Sequence, residues 1–217
     1  MNGLPSRLRR FTRRLQDEDF ETGVTNFYSA KRTNLQRANL ERYLKFMYEQ
    51  KSITLLVGEA PGYNGCRLTG VPFSSEDIIR SGVCEGRVFG EHNGYKASAK
   101  RAKKEQSASA MWSVLETFDT LPLLWNAFPF HPYKEGNINS NRKPNVKELE
   151  IGRYYLHELI EIFGIQDVLA VGNVADDVLT RMNIEHTKIR HPSYGGKNLF
   201  KEQLFSYYKT RESVERT

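Results

Sequence analysis

A carboxylate (Glu59), an aromatic ring (Phe73), a carboxamide (Asn126) and an imidazole (His191) stand in three separated segments of the chain. These are GEAPGYNGCRLTGVPF at 58–73, LLWNAFPFHP at 123–132 and HPSYGG at 191–196. Gly58 and Gly62 bracket a turn, where glycine lets the backbone approach a ligand closely and present N–H groups to it. Gly65 and Gly70 follow in the same loop, a setting in which the Phe73 ring can face a flat ligand instead of the core. Asn126 offers one donor and one acceptor along a planar edge; alone, it reads equally well as a loop cap. His191 precedes a proline, which holds it extended. A neutral imidazole there can donate to a developing oxyanion, although a lone loop histidine is usually only a surface residue.

Each segment follows a short apolar run: 53–57, 121–125 and the stretch through Ile184 and Ile189. Such runs, bounded by Gly and Pro, read as buried parallel strands, and open α/β sheets bind ligands just beyond the carboxyl ends of such strands. Three polar segments at three strand ends can therefore converge on one pocket. Between them the pattern predicts a helix over 33–50, with Leu35, Ala38, Tyr43, Phe46 and Met47 on one side. A long loop without regular structure is expected from 58 to about 106, its basic part at 92–106 reading as a solvated excursion. A helix near 107–118 and an extended polar loop over 130–145 come next. The 146–163 helix buries Leu149, Leu156, Leu159, Ile160 and Phe163; Pro144 or Asn145 opens it and Gly164 stops it. A strand at 168–171, a helix at about 174–182 and a last helix near 198–208, burying Leu199, Phe200, Leu204 and Tyr207 or Tyr208, complete the alternation. The expected class is α/β: three layers, α/β/α, around a central, mostly parallel four-stranded sheet, in a single domain over 1–217.

Residues 1–20 form a basic amphipathic segment, in which Leu4, Leu8, Phe11 and Leu15 share one helical face and Arg7, Arg9, Arg10, Arg13 and Arg14 surround it. It reads as a terminal helix with solvated arginines, as a nucleic-acid-facing arm or as a mitochondrial presequence. The 32 basic against 26 acidic residues leave a net charge of +6, which favours a polyanionic partner without establishing one. No apolar run approaches the roughly 18 residues of a membrane span. Cys66 and Cys84 are the only cysteines, too few for an iron–sulfur cluster or an all-cysteine zinc site, so no metal is expected. The chain shows no secretory signal, and a reducing compartment follows: the cytoplasm, or the nucleus of a eukaryote.

Together these segments resemble the uracil-DNA glycosylase superfamily. The resemblance rests on GEAPG after the first strand, the TGVPF aromatic, the strand-ending asparagine of LLWNAFPF and HPS after the last strand. NRKP at 141–144 and VLAVGNVADDVL further on are also similar to that family, so the likeness covers roughly 53–208. GEAPG and NRKP look most like the iron–sulfur-carrying branch, whereas GCRLTGVPF looks more like the single-strand-selective branch.

The resemblance implies a monofunctional DNA glycosylase that flips a nucleotide out of single- or double-stranded DNA and hydrolyses its N-glycosidic bond. The base would lie against Gly58, Ala60 and Gly62, stacked on Phe73 and paired with Asn126 through its N3–H and O4. His191 would bond O2 as negative charge develops there. Arg190, Ser193, Tyr194 and Lys197 would border the DNA, with Tyr194 filling the vacated stack. Three departures accompany the likeness. Ala60 stands where the most active branches carry Asp or Asn to position water, which leaves Glu59 as the nearest carboxylate. Gly62 stands where the most uracil-restricted branch has Tyr. The cluster cysteines are missing, so the expected protein is a monomer that needs no iron–sulfur cluster, metal or other cofactor. A catalytically weak nucleic-acid-binding member of the same fold is the alternative.

Overall fold

The computed structural model describes residues 4–29, 35–98 and 104–215, with side chains as far as 211. In chain order the elements are α1 (Ser6–Asp17), β1 (Val24–Thr25), α2 (Leu35–Glu49), β2 (Thr54–Gly58), α3 (Cys66–Thr69), α4 (Glu76–Ser81), α5 (Gln106–Leu115), β3 (Leu123–Asn126), β4 (His131–Pro132), α6 (Val146–Phe163), β5 (Asp167–Val171), α7 (Gly172–Arg181), β6 (Thr187–Ile189) and α8 (Lys197–Glu215). The main sheet is parallel and four-stranded, in the order β3–β2–β5–β6. Helices cover both its faces, in the expected three layers. Residues 54–58 of β2 are all buried, as a central strand enclosed on both faces requires. The register sets Gly58 beside Asn126 and Val57 beside Ala170, so β2, β3 and β5 end level with one another.

Local chemistry explains the element ends. Asn145 caps α6 in a capping box: its side chain accepts the Glu148 N–H, and the Glu148 carboxylate accepts the Asn145 N–H. Gly164 stops α6 in the left-handed conformation, as its sequence position predicts. At the edge of the sheet the Tyr43 hydroxyl of α2 accepts the Leu124 N–H of β3 at 2.8 Å, which occupies a donor that would otherwise be open. Helix α1 packs on α2 and α6, its Phe11 ring 5.6 Å from Trp125 and 5.7 Å from Tyr155. Arg7 pairs with Glu161 and Arg14 with Glu158, both on α6.

Several expectations are corrected. The 58–106 stretch is not an unstructured loop, because it contains α3 and α4; its residues 99–103 lie outside the described residues. The polar loop at 130–145 includes β4, which pairs antiparallel with β1. Neither two-residue strand is long enough to leave a period-2 pattern in the sequence. The buried face of α2 is centred on Asn39, Leu40, Tyr43, Leu44 and Met47, not on Leu35, Ala38 and Phe46; residues 33 and 34 of that predicted helix lie outside the described residues. Ile160 and Phe163 are only half-buried. Helix α8 runs beyond 208 to Glu215, and Leu199 is exposed, because only Phe200 and Leu204 of its first turns reach the core.

Candidate active site

The carboxyl ends of the parallel strands open into a cavity of about 410 Å³. Gly58, Glu59, Ala60, Gly62, Phe73, Asn126, Arg190 and His191 all line it, so eight of the eleven residues singled out from sequence share one space. Ser193, Tyr194 and Lys197 lie outside its lining, in the loop and first helical turn that follow His191. Ser193 is half-buried; Lys197 is exposed, and Tyr194 is 98% exposed.

Gly58 shows why glycine ends β2. A Cβ there would stand 2.6 Å from the Phe73 ring and 2.9 Å from the Asn126 Oδ1, so ring and amide crowd one backbone atom from two sides. Asn126 is only 5% exposed, and no hydrogen bond to its amide occurs among the described residues. The amide faces the cavity, where its donor and acceptor are open to whatever occupies that space. Phe73 sits at φ 49, a conformation that side chains other than glycine rarely adopt, and the Trp112 Nε1–H holds its carbonyl at 2.9 Å.

His191 packs against the start of α7, where Gly172 has φ +86 and an added Cβ would lie 3.0 Å from the His191 Cβ. The Ser193 N–H donates to His191 Nδ1 at 3.1 Å. In the neutral ring Nδ1 is therefore the acceptor, and the proton sits on Nε2, free to donate. Burial lowers the His191 pKa; Glu105 opposes that shift and Arg190 adds to it. Burial pushes the Glu59 carboxyl upward, against Lys143, and one of its oxygens is buried without a partner among the described residues. The site thus combines a neutral N–H donor with a carboxyl group of raised proton affinity.

The glycine-rich turn is clamped from the 131–142 region. His131 Nδ1 stands 2.7 Å from the Pro61 carbonyl and its Nε2 3.0 Å from the Ile138 carbonyl, and the neutral ring donates its one N–H to either. The Tyr63 N–H donates to the Asn141 Oδ1 at 3.0 Å. These partners, and Glu105, Ser107 and Asn173 in the cavity wall, were not singled out from the sequence. Asn141 lies within NRKP, a motif without an assigned role. Glu105 had a usable signal, a capping residue at a helix start, but it lay in the 92–106 stretch that read as basic and solvated; Ser107 opened the predicted 107–118 helix without an assigned role. Among the described residues no group of three or more His, Cys, Asp or Glu is arranged to hold a metal ion, and no helix is long and apolar enough to cross a membrane.

Comparison with solved structures finds a similar fold in the wild-type SMUG2 of Pedobacter heparinus, at a TM-score of 0.65 and 16% identity, with 98% of this chain and 100% of that chain covered. No curated protein sequence matches. The family model for the uracil DNA glycosylase superfamily matches residues 46–212, a span that holds every residue lining the cavity. Motif, fold and family model agree, and the chain belongs to the uracil DNA glycosylase superfamily.

Proposed function

We propose that the protein is a monofunctional DNA glycosylase that removes uracil, or another deaminated base, flipped out of single- or double-stranded DNA, as a step of base excision repair. Membership of the superfamily gives a DNA glycosylase-type function. The observation that carries the finer reading is the crowding of one backbone atom, at Gly58, by an aromatic ring and an amide with no hydrogen-bond partner among the described residues, in a cavity shared with His191. Phe73 stacks on the extruded base. Asn126 pairs with N3–H and O4, a pattern that cytosine presents in reverse, and the wrong base would leave the amide unsatisfied.

The glycosidic C1′–N bond breaks with its electron pair moving onto the base, and the His191 Nε2–H donates to O2 as charge collects there. A preorganised donor of this kind is worth about 3–4 kcal/mol of barrier. Glu59 holds the water whose oxygen bonds to C1′ and takes up its proton; burial brings its proton affinity closer to what a general base needs. The backbone at Gly58, Ala60 and Gly62 borders the base. Arg190, Ser193, Tyr194 and Lys197 meet the DNA, Tyr194 filling the gap in the stack. Among the described residues no lysine lines the cavity, which favours simple hydrolysis over a Schiff-base lyase step. The reading requires no cofactor, metal or partner subunit, and places the protein in the cytoplasm or a eukaryotic nucleus.

Ala60, which offers no polar side chain where the water would sit, favours a second reading, a nucleic-acid-binding member with weak catalysis. Labelled single- and double-stranded oligonucleotides carrying uracil, hypoxanthine, xanthine or a G·T mismatch, incubated with protein and then cleaved with alkali at abasic sites, separate the two. Base release supports the glycosylase. Intact DNA at stoichiometric protein, with binding retained, sinks it in favour of the second reading.

A further inference from the structure

Helix α5 lies outside the three motif segments, yet it touches two of them. Its Trp112 indole N–H bonds the Phe73 carbonyl. At its other end Glu105 caps the helix, its carboxylate accepting the Ser107 N–H at 3.0 Å and the Ala108 N–H at 2.7 Å. This holds the first turn of α5 in the cavity wall, where Glu105 and Ser107 both face the site. From that turn the Ser107 hydroxyl bonds the Ser193 hydroxyl at 2.9 Å. Ser193 is the residue whose N–H occupies His191 Nδ1.

The contacts form a chain: the capped turn fixes Ser107, Ser107 fixes Ser193, and Ser193 fixes the tautomer and direction of His191. We propose that Ser107 is a positioning residue for His191, acting through Ser193 to keep Nδ1 an acceptor and to aim the Nε2–H into the cavity. The inference rests on the glycosylase reading for its consequence in catalysis, but not for its structural content. A hydroxyl pair suits the task, because two short side chains lose little freedom when they bond. The pair also leaves one hydroxyl proton to donate elsewhere, so Ser193 can meet DNA without releasing Ser107. Loss of the Ser107 hydroxyl would free the Ser193 segment and let the imidazole rotate or change tautomer.

The test compares wild type, Ser107→Ala, Ser107→Thr, Ser193→Ala and the double alanine variant, by melting temperature, single-turnover release of uracil and the ring-nitrogen NMR signals of His191. Ser107→Ala is expected to melt like wild type, to bind a uracil-containing oligonucleotide normally and to slow release about tenfold, one neutral hydrogen bond in magnitude. Its His191 signals should shift toward a mixture of tautomers. Ser107→Thr, which keeps the hydroxyl, should restore both rate and signals. The double variant should be no slower than the slower single one, because both substitutions break the same link. Unchanged His191 signals together with a rate within twofold of wild type in Ser107→Ala would overturn the proposal. If wild type releases no base from any oligonucleotide, the glycosylase reading fails, and the His191 signals alone decide whether Ser107 positions the ring.

Discussion

At the scale of single residues, the chemistry rests on which groups are left without partners. Asn126 is the clearest case: its amide faces the cavity next to an aromatic ring, with no hydrogen-bond partner among the described residues, and the proposed function has it pair with the base. Asn126→Asp replaces the N–H donor with a second acceptor, so uracil release should fall about 100-fold or more while the fold persists. Single-turnover kinetics on a uracil-containing oligonucleotide check this, and near-normal excision would show that the base is read elsewhere. His191 makes a second prediction. Its pKa in the folded state lies below the ordinary value, chiefly through burial, and that of His131 moves the same way, burial outweighing its two carbonyl partners. The unfolded chain therefore takes up protons more readily. Stability is full above the unfolded value near 6.5 and is lost as pH falls from there through the folded values. Denaturation midpoints should accordingly be lower at pH 5 than at pH 7, and His191→Gln should reduce that difference.

At the scale of elements, packing sets where the strand ends point. The carbonyl of Ala127, the residue after Asn126, would lie 2.0 Å from a Cβ at position 152, so Gly152 lets α6 approach the chain just beyond β3. Gly152→Ala must push helix and loop apart. The expected loss is about 1–3 kcal/mol in chemical denaturation, together with slower base release, because Asn126 moves with its neighbour. A variant as stable and active as wild type would mean that the contact is not carried by that carbonyl. The elements also show where pattern reading works. The span of helix α6 was legible, since its entry, apolar stripe and terminal glycine all fall within 20 positions, although the choice of Asn145 over Pro144 as its cap and the burial of Tyr155 and Ile162 in place of Ile160 and Phe163 were not. The register of α2 was not: Asn39 is buried because its amide bonds the Thr69 and Lys96 carbonyls, partners 30 and 57 residues away.

At the scale of the whole molecule, the distribution of charge matters more than its sum. Arg7 and Arg14 of α1 are engaged with acids of α6, and no residue of α1 lines the cavity among the described residues. Of the readings open for the basic amino-terminal segment, this geometry favours a packed helix over a DNA-facing arm. Arg190→Ala, at the cavity, should weaken DNA binding and reduce the slope of log affinity against log salt by about one. Arg10→Ala on α1 should leave both nearly unchanged. Fluorescence anisotropy titrations at several salt concentrations distinguish these outcomes, and equal losses at the two positions would place α1 against DNA.

The amino-acid sequence by itself determined the α/β alternation, the strand ends and the residues that gather at them. Each of these is written in local periodicity, in glycines and prolines, and in short motifs. Only the tertiary structure decided that Phe73, Asn126 and His191 share a cavity with Glu59, that the Asn126 amide has no hydrogen-bond partner among the described residues, and that α5 reaches the imidazole through two serines. Those facts depend on groups far apart along the chain, such as Ser107 and Ser193, 86 residues from one another, and on distances of a few ångströms that no local pattern encodes.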